Sequence, residues 1–158
     1  MDQQETRKKA LDYAARVLAP RMLAESQLRE KLRAKEFEED AIDYAVARLK
    51  EMNAINDAEY AQMILRHYAG RGFGRQKVMQ ELHRKGVPKE VAQEATADFE
   101  PCAEQMLRYL EKTIRSDKTD QKVLRKAANG LYRRGFSWEQ INAALDIYCN
   151  QEENEPCP

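Results

Sequence analysis

At 158 residues the chain has room for one ordinary domain or a few small helical modules. Charged residues make up 34% and hydrophobic ones 42%, with few Gly and Pro, which fits a helical protein with a thin core and excludes wholesale disorder. The formal net charge is zero, no apolar run approaches the ~20 residues of a membrane span, and the opening MDQQETRKK lacks a secretory apolar stretch, so a strongly basic freestanding nucleic-acid binder, a membrane protein and a secreted one are all disfavoured.

In chain order, the spacing predicts a leading helix around Ala10–Leu18 that Pro20 ends or kinks. A middle helix follows, with Leu28 and Leu32 at i, i+4 on one apolar stripe. A turn at Lys35-Glu36 then leads to a third helix. There Ile42, Ala45, Val46 and Leu49 keep the i, i+3, i+4, i+7 pattern, while Glu38, Glu39 and Asp40 favour the dipole at its start. Asp57, after Asn56, is expected to cap the next helix, Asp57–Tyr68. Val78 and Leu82 repeat the middle-helix stripe, Gly86 takes the turn, and Pro88 suits the first turn of the helix after it. Pro101 opens a helix over Ala103–Ile114. Gly135 marks the last turn, and Ile141, Ala144, Leu145 and Tyr148 the last apolar face. No strand is expected.

These elements are one unit written three times. Sliding QLREKLRAKEFEEDAIDYAVARL by 50 residues gives KVMQELHRKGVPKEVAQEATADF, and by 99 gives KAANGLYRRGFSWEQINAALDIY. Leu32 falls on Leu82 and Leu131, Phe37 on Val87 and Phe136, and Ala45 on Ala95 and Ala144. Lys35-Glu36, Lys85-Gly86 and Arg134-Gly135 coincide at the turn, where a left-handed residue is needed and glycine is cheapest. Glu36 is therefore expected to be the least comfortable of the three. The repeats are assigned to residues 7–53, 54–99 and 100–149, with an acidic tail at 150–158 read as disordered. The expected fold is all-α: three tandem three-helix repeats forming an elongated, curved array whose working part is an outer surface.

Charge is unevenly spread. Arg66, Arg71, Arg75, Lys77, Arg84, Lys85 and Lys89 face a single acid, Glu81, in their segment, and from Arg108 to Arg134 bases dominate again, among them Lys122, Arg125, Lys126, Arg133 and Arg134. The stretch from Glu25 to Glu59 and the tail QEENEPCP are acidic. Two readings stand side by side: solvated helix faces, or one face for an anionic partner.

Catalytic chemistry finds little purchase. His67 and His83 have no Cys or His at metal-ligand spacing, where zinc needs about four ligands. Cys102, Cys149 and Cys157 are an odd set at unrelated spacings and read as reduced cytosolic thiols. The segment GRGFGRQK, Gly70 to Lys77, contains a G-x-G, but it follows a helix and lacks the Lys-Ser/Thr of a phosphate loop. It reads equally as a flexible cationic loop or as a tight turn. In the second case amides at the next helix start, with Arg71, Arg75 and Lys77, hold a phosphate or an acidic side chain. Sequence-reading of DNA is disfavoured, because the third helices expose Asp40, Asp43, Glu90 and Glu94 instead of base-reading residues.

At these residues the chain resembles the RecX family, bacterial modulators of the RecA recombinase. The resemblance is densest over INDAEYAQMILRHYAGRGFGRQKVMQELHRKGV, carried by Asp57, Tyr60, Ala61, Gly72, Gly74, Leu82, Lys85 and Gly86, and extends more loosely over residues 7–148. Tyr68, Ala24 and Arg75 stand where relatives often carry arginine, serine and proline. The resemblance implies a cytoplasmic, monomeric, non-enzymatic regulator without cofactor or metal. It would bind the RecA filament on single-stranded DNA and inhibit ATP hydrolysis, strand exchange and coprotease activity. Arg66, Arg71, Arg75, Lys77, Arg84, Lys85, Lys122, Arg125, Lys126, Arg133 and Arg134 would meet the filament or its DNA, while Asp57, Tyr60, Gly72, Gly74, Leu82, Gly86 and Gly135 would be structural. The alternative is a general nucleic-acid-binding module with no dependence on RecA, and a third reading is an adaptor for some other protein.

Overall fold

The computed structural model describes residues 2–115 and 120–150. They form nine helices and no strand: α1 Gln3–Leu18, α2 Glu25–Ala34, α3 Glu39–Glu51, α4 Asp57–Gly70, α5 Arg75–Arg84, α6 Lys89–Thr96, α7 Ala103–Thr113, α8 Gln121–Arg133 and α9 Trp138–Asn150. They fall in three consecutive sets of three, as the repeat requires. The expected acidic tail lies outside the described residues from position 151 on, as does Cys157. By contact the described chain divides into two compact units, residues up to 64 together with 81–95, and residues 65–80 together with those from 96 on.

The first unit has its core where the stripes of α1, α2 and α3 meet. Ala10 and Ala14, Leu28 and Leu32, and Ile42, Ala45, Val46 and Leu49 are all buried there, with Tyr13 and Phe37 packed against them. The small alanines of α1 let it lie close on α3. In the second unit Met106 and Leu110 of α7, Ala127 and Leu131 of α8, and Ile141, Ala144 and Tyr148 of α9 build the equivalent core. Leu82 is fully buried, as its stripe predicts. Of the three third helices, α6 is the short one at 8 residues against 13 for α3 and α9. It stops at the buried Thr96, which leaves Phe99 beyond its end.

Helix starts explain much of the local sequence and correct some expectations. Helix α1 begins at Gln3, earlier than expected, because Asp2 Oδ1 accepts from the Gln4 amide at 3.4 Å. The cap of α4 is Asn56, not Asp57: Asn56 Oδ1 accepts from the Glu59 amide at 3.1 Å. Asp57 Oδ1 instead accepts from the Glu25 amide, at 2.9 Å, and so serves the opening of α2. That opening needs it, since Ala24 at the cap has no side-chain acceptor, while Gln27 Oε1 turns back to the Ala24 amide at 3.1 Å. Pro88 precedes the first residue of α6 and gives its carbonyl to the Ala92 amide, so it stands at the cap position, not in the first turn. Ser137 and Gln140 cap α9 reciprocally, at 3.1 and 3.0 Å.

The acidic face of the first unit is largely consumed by its own arginines. Asp40 is bound by Arg7 at 2.9 Å and by Gln3, Asp43 by Arg29 at 2.7 Å, and Glu39 by Arg33 at 2.6 Å; Glu25 pairs with Lys50. Hydrogen bonds from Arg7 and Gln3 hold the Asp40 carboxyl below its ordinary value, and the bond from Arg33 does the same for Glu39.

The turns follow one rule. Gly86 and Gly135 are left-handed, at φ +83° and +99°, and Glu36 is left-handed too, at φ +63°. At Gly86 a β-carbon would collide with Ser26, whose Oγ donates to the Gly86 carbonyl at 2.8 Å. At Gly135 a β-carbon would collide with the Lys77 backbone. In each case the start of the preceding repeat's middle helix is seated on the turn of the repeat after it. Glu36, in the first repeat, points its side chain outward and exposed, so it meets the strain of the conformation but no collision.

Candidate functional site

The second unit holds the junction between the G-x-G segment and the α8–α9 turn. The chain leaves α4 at Gly70 and turns through Gly72 at φ +84°, with the Arg71, Gly72 and Phe73 amides bonded back to carbonyls of Tyr68 and Ala69. This is a tight, hydrogen-bonded turn. Gly74 is needed for a different reason. A β-carbon there would stand 2.5 Å from the Gly135 carbonyl, so two backbones touch.

That contact overturns one expectation. The amides at the start of α5 do not present themselves to a phosphate: Gly74 N–H donates to the Arg134 carbonyl at 2.8 Å and Gln76 N–H to the Gly135 carbonyl at 3.1 Å. Backbone from the third repeat occupies the place of the anion.

Anion-binding capacity lies in side chains around the turn instead. A cleft of about 260 Å³ is lined by Gly70, Arg71, Gly72, Gln105, Arg108, Tyr109, Lys112 and Arg134, four cations and no carboxylate. Arg108 and Lys112 stand at i, i+4 on α7 and therefore share one helix face. Arg108 has a long exposed pairing, 3.9 Å, with Glu104. Arg134 is fixed in place: its guanidinium lies 5.2 Å from the Phe73 ring centroid and 4.8 Å from that of Tyr109. Tyr109 in turn crosses α8 at Gly130, where a β-carbon would collide with its hydroxyl.

The other expected residues distribute as follows. Lys122, Arg125, Lys126 and Arg133 are exposed along one stripe of α8, a helix with no acidic residue, opposite its buried Ala127 and Leu131. Arg75 is exposed with its Nε 3.3 Å from Thr96 Oγ1, Lys77 is half-buried beside Gly135, and Arg66 is exposed on α4. Arg84 and Lys85 belong to the first unit. There Arg84 grips the buried Glu81 at 2.7 Å, so the one acid of that segment is neutralised in place, and Lys85 is half-buried. Of the structural residues, Tyr60 is buried, and burial pushes its phenol up. The sequence marks Arg108 only as the edge of a basic segment and does not single out Lys112 or the aromatic clamp, because only the fold brings α7 to the Gly70 turn.

A second cleft, of about 690 Å³, lies on the same α8–α9 turn and is lined by Gln76, Gln80, Tyr132, Arg133, Gly135, Ser137 and Trp138. Tyr132 and Trp138 stack with centroids 4.9 Å apart and planes 13° from parallel. Among the described residues there is no group of three or more His, Cys, Asp and Glu placed to hold a metal ion, and no helix is long and apolar enough to cross a membrane.

Comparison with known proteins matches this architecture throughout. Residues 10–49 match the family model described as RecX, first three-helix domain, 56–95 the second three-helix domain, and 101–145 the third. The regulatory protein RecX of Chlorobaculum tepidum is 35% identical over 150 residues, covering 90% of each chain. That of Caldanaerobacter subterraneus subsp. tengcongensis is 31% identical over 140 residues, 89% of this chain and 71% of its own. The crystal structure of RecX from Lactobacillus salivarius shares the fold, with a TM-score of 0.86 over 92% of this chain and 98% of that one at 20% identity. With three consecutive domain matches and relatives of this identity along nearly its whole length, the chain belongs to the RecX family of regulatory proteins.

Proposed function

We propose that this chain regulates the RecA recombinase without catalysing a reaction itself. It acts as a monomer in the cytoplasm, built from modules at 7–53, 54–99 and 100–149. It binds the RecA filament on single-stranded DNA and inhibits ATP hydrolysis, strand exchange and coprotease activity. The observation that supports this reading best is the carboxylate-free cluster of Arg71, Arg108, Lys112 and Arg134 in a member of a regulatory family. Four cations around one cleft, with the basic stripe of α8 on the same unit, suit a phosphodiester backbone or an acidic protein surface. The acids of the first unit, paired internally, leave the second unit as the more strongly cationic surface.

The test is DNA-dependent ATP hydrolysis by the cognate RecA at substoichiometric amounts of this protein. Inhibition is expected, and combined Arg71→Glu, Arg108→Glu and Lys112→Glu substitution should weaken it while helicity stays intact. Arg134 is left out of that variant because it also holds the aromatic clamp. Absence of inhibition at equimolar protein refutes the reading. Tight binding to naked nucleic acid with a steep salt dependence, near −0.7 per neutralised phosphate on single strands, and no effect on RecA would instead establish a general nucleic-acid-binding module.

A further inference from the structure

We propose that the cleft beside Tyr132 and Trp138 takes an unstacked base of single-stranded nucleic acid. This deepens the nucleic-acid part of the function proposed above, which rests on cations and phosphates alone. The two rings are 53% and 46% exposed although they are stacked on each other. Each ring thus spends one face on its partner and keeps the other in water. Stacked rings left open to this extent offer a flat surface on which a further planar ring can stack. Its faces suit any nucleobase, since every base offers a π-face of similar size.

What lines the rest of the cleft selects the occupant. Gln76 and Gln80 stand at i, i+4 on α5, and each carboxamide offers one acceptor and two donors to a base edge. Arg133 supplies a cation beside the rings, and the lining contains no carboxylate and no aliphatic side chain. An apolar peptide would want the opposite composition. Amides, a guanidinium and open aromatic faces are the set with which proteins hold single strands.

The platform is also rigid. Tyr132 is in the last turn of α8, and Trp138 is the first residue of α9, fixed by the Ser137–Gln140 capping pair. Between them Gly135 is buried and bonded through its carbonyl to Gln76. Neither ring has to be ordered when a base arrives, which keeps the entropic cost of stacking low. A duplex keeps its bases stacked internally, so this site favours single strands over double ones.

Trp138 is the chain's only tryptophan, so its fluorescence reports this cleft alone. The full-length protein is titrated with an oligothymidine strand, an abasic strand of the same length and phosphate count, and a duplex. The oligothymidine should quench the fluorescence to saturation, and the abasic strand should bind more weakly and leave it unchanged. Trp138→Ala should weaken oligothymidine binding about 5- to 150-fold while leaving abasic binding as it was, and Trp138→Phe should retain most of the affinity. Gln76→Glu with Gln80→Glu, which places two carboxylates in the cleft, should weaken the oligothymidine likewise.

Equal affinity for the thymidine and abasic strands, or no loss in Trp138→Ala, overturns the base site and leaves the phosphate reading standing. No binding of either strand defeats both. Quenching by RecA protein without DNA would show the platform to be a protein contact, and so would also overturn the proposal.

Discussion

The Ser26 hydroxyl donates to the Gly86 carbonyl at 2.8 Å, on a turn where any β-carbon would run into that same serine. Gly86 is thus required twice, for its positive φ and for the room it leaves. Glu36, at the matching turn, bears only the first requirement. Substitution at the two should have opposite signs. Gly86→Ala is expected to cost about 2–4 kcal/mol, from the left-handed conformation and the forced shift of α2. Glu36→Gly should be neutral or stabilise by up to about 1 kcal/mol, the strain relieved less the entropy of a glycine. Urea unfolding of both variants measures this, and a stable Gly86→Ala would refute the seating of α2 on that turn.

Gly130 makes a second sign test. In an ordinary helix interior, Gly→Ala stabilises by about 0.5–1 kcal/mol. Here the added methyl would enter the place of the Tyr109 hydroxyl. Gly130→Ala should therefore destabilise by about 1–3 kcal/mol. Because Tyr109 carries one face of the Arg134 clamp, the variant should also lose affinity for anions. Tyr109→Phe with Gly130→Ala should recover part of the stability.

Asp57 tests a cap supplied from outside its helix. Asp57→Ala removes the acceptor from the Glu25 amide and should cost about 0.5–2 kcal/mol. Asp57→Asn keeps an oxygen there and should fall near the parent. If Asp57 capped its own helix, loss of hydrogen-exchange protection would appear at the start of α4. The expected place is the first turn of α2.

The acid response of the first unit follows from Asp40 and Glu39. Both carboxyls are held below their ordinary values, 3.8 and 4.5, by hydrogen bonds from Arg7 and Arg33. A depressed folded value means that the unfolded chain takes up protons first as pH falls. The contribution is complete above those ordinary values and is lost as pH drops below them through the lowered ones. A Tm series across that window should show a fall that Asp40→Asn with Glu39→Gln flattens, and added salt should shrink the difference.

Leu82→Ala should cost about 2–5 kcal/mol, since the side chain is fully buried. A much smaller loss would mean that the site collapses around the gap.

What the sequence disclosed divides by range. Leu82, Gly86 and Gly135 were legible because helical period and turn conformation are local properties, repeated three times over. Asp57 was misplaced because Asn56 and Asp57 both offer an acceptor at one helix start, and only a helix from another repeat decides between them. The amides before Arg75 look available until the Arg134 and Gly135 carbonyls arrive from far along the chain. The part played by Arg108, Lys112 and the Tyr132–Trp138 stack escaped for the same reason: each is unremarkable on its own helix and acquires meaning across a junction.

The seating of α2 on the Gly86 turn and of α5 on the Gly135 turn has a direction, from lower residue numbers to higher. A side chain introduced at either glycine would therefore be felt upstream, in the first turn of a helix that belongs to the repeat before it.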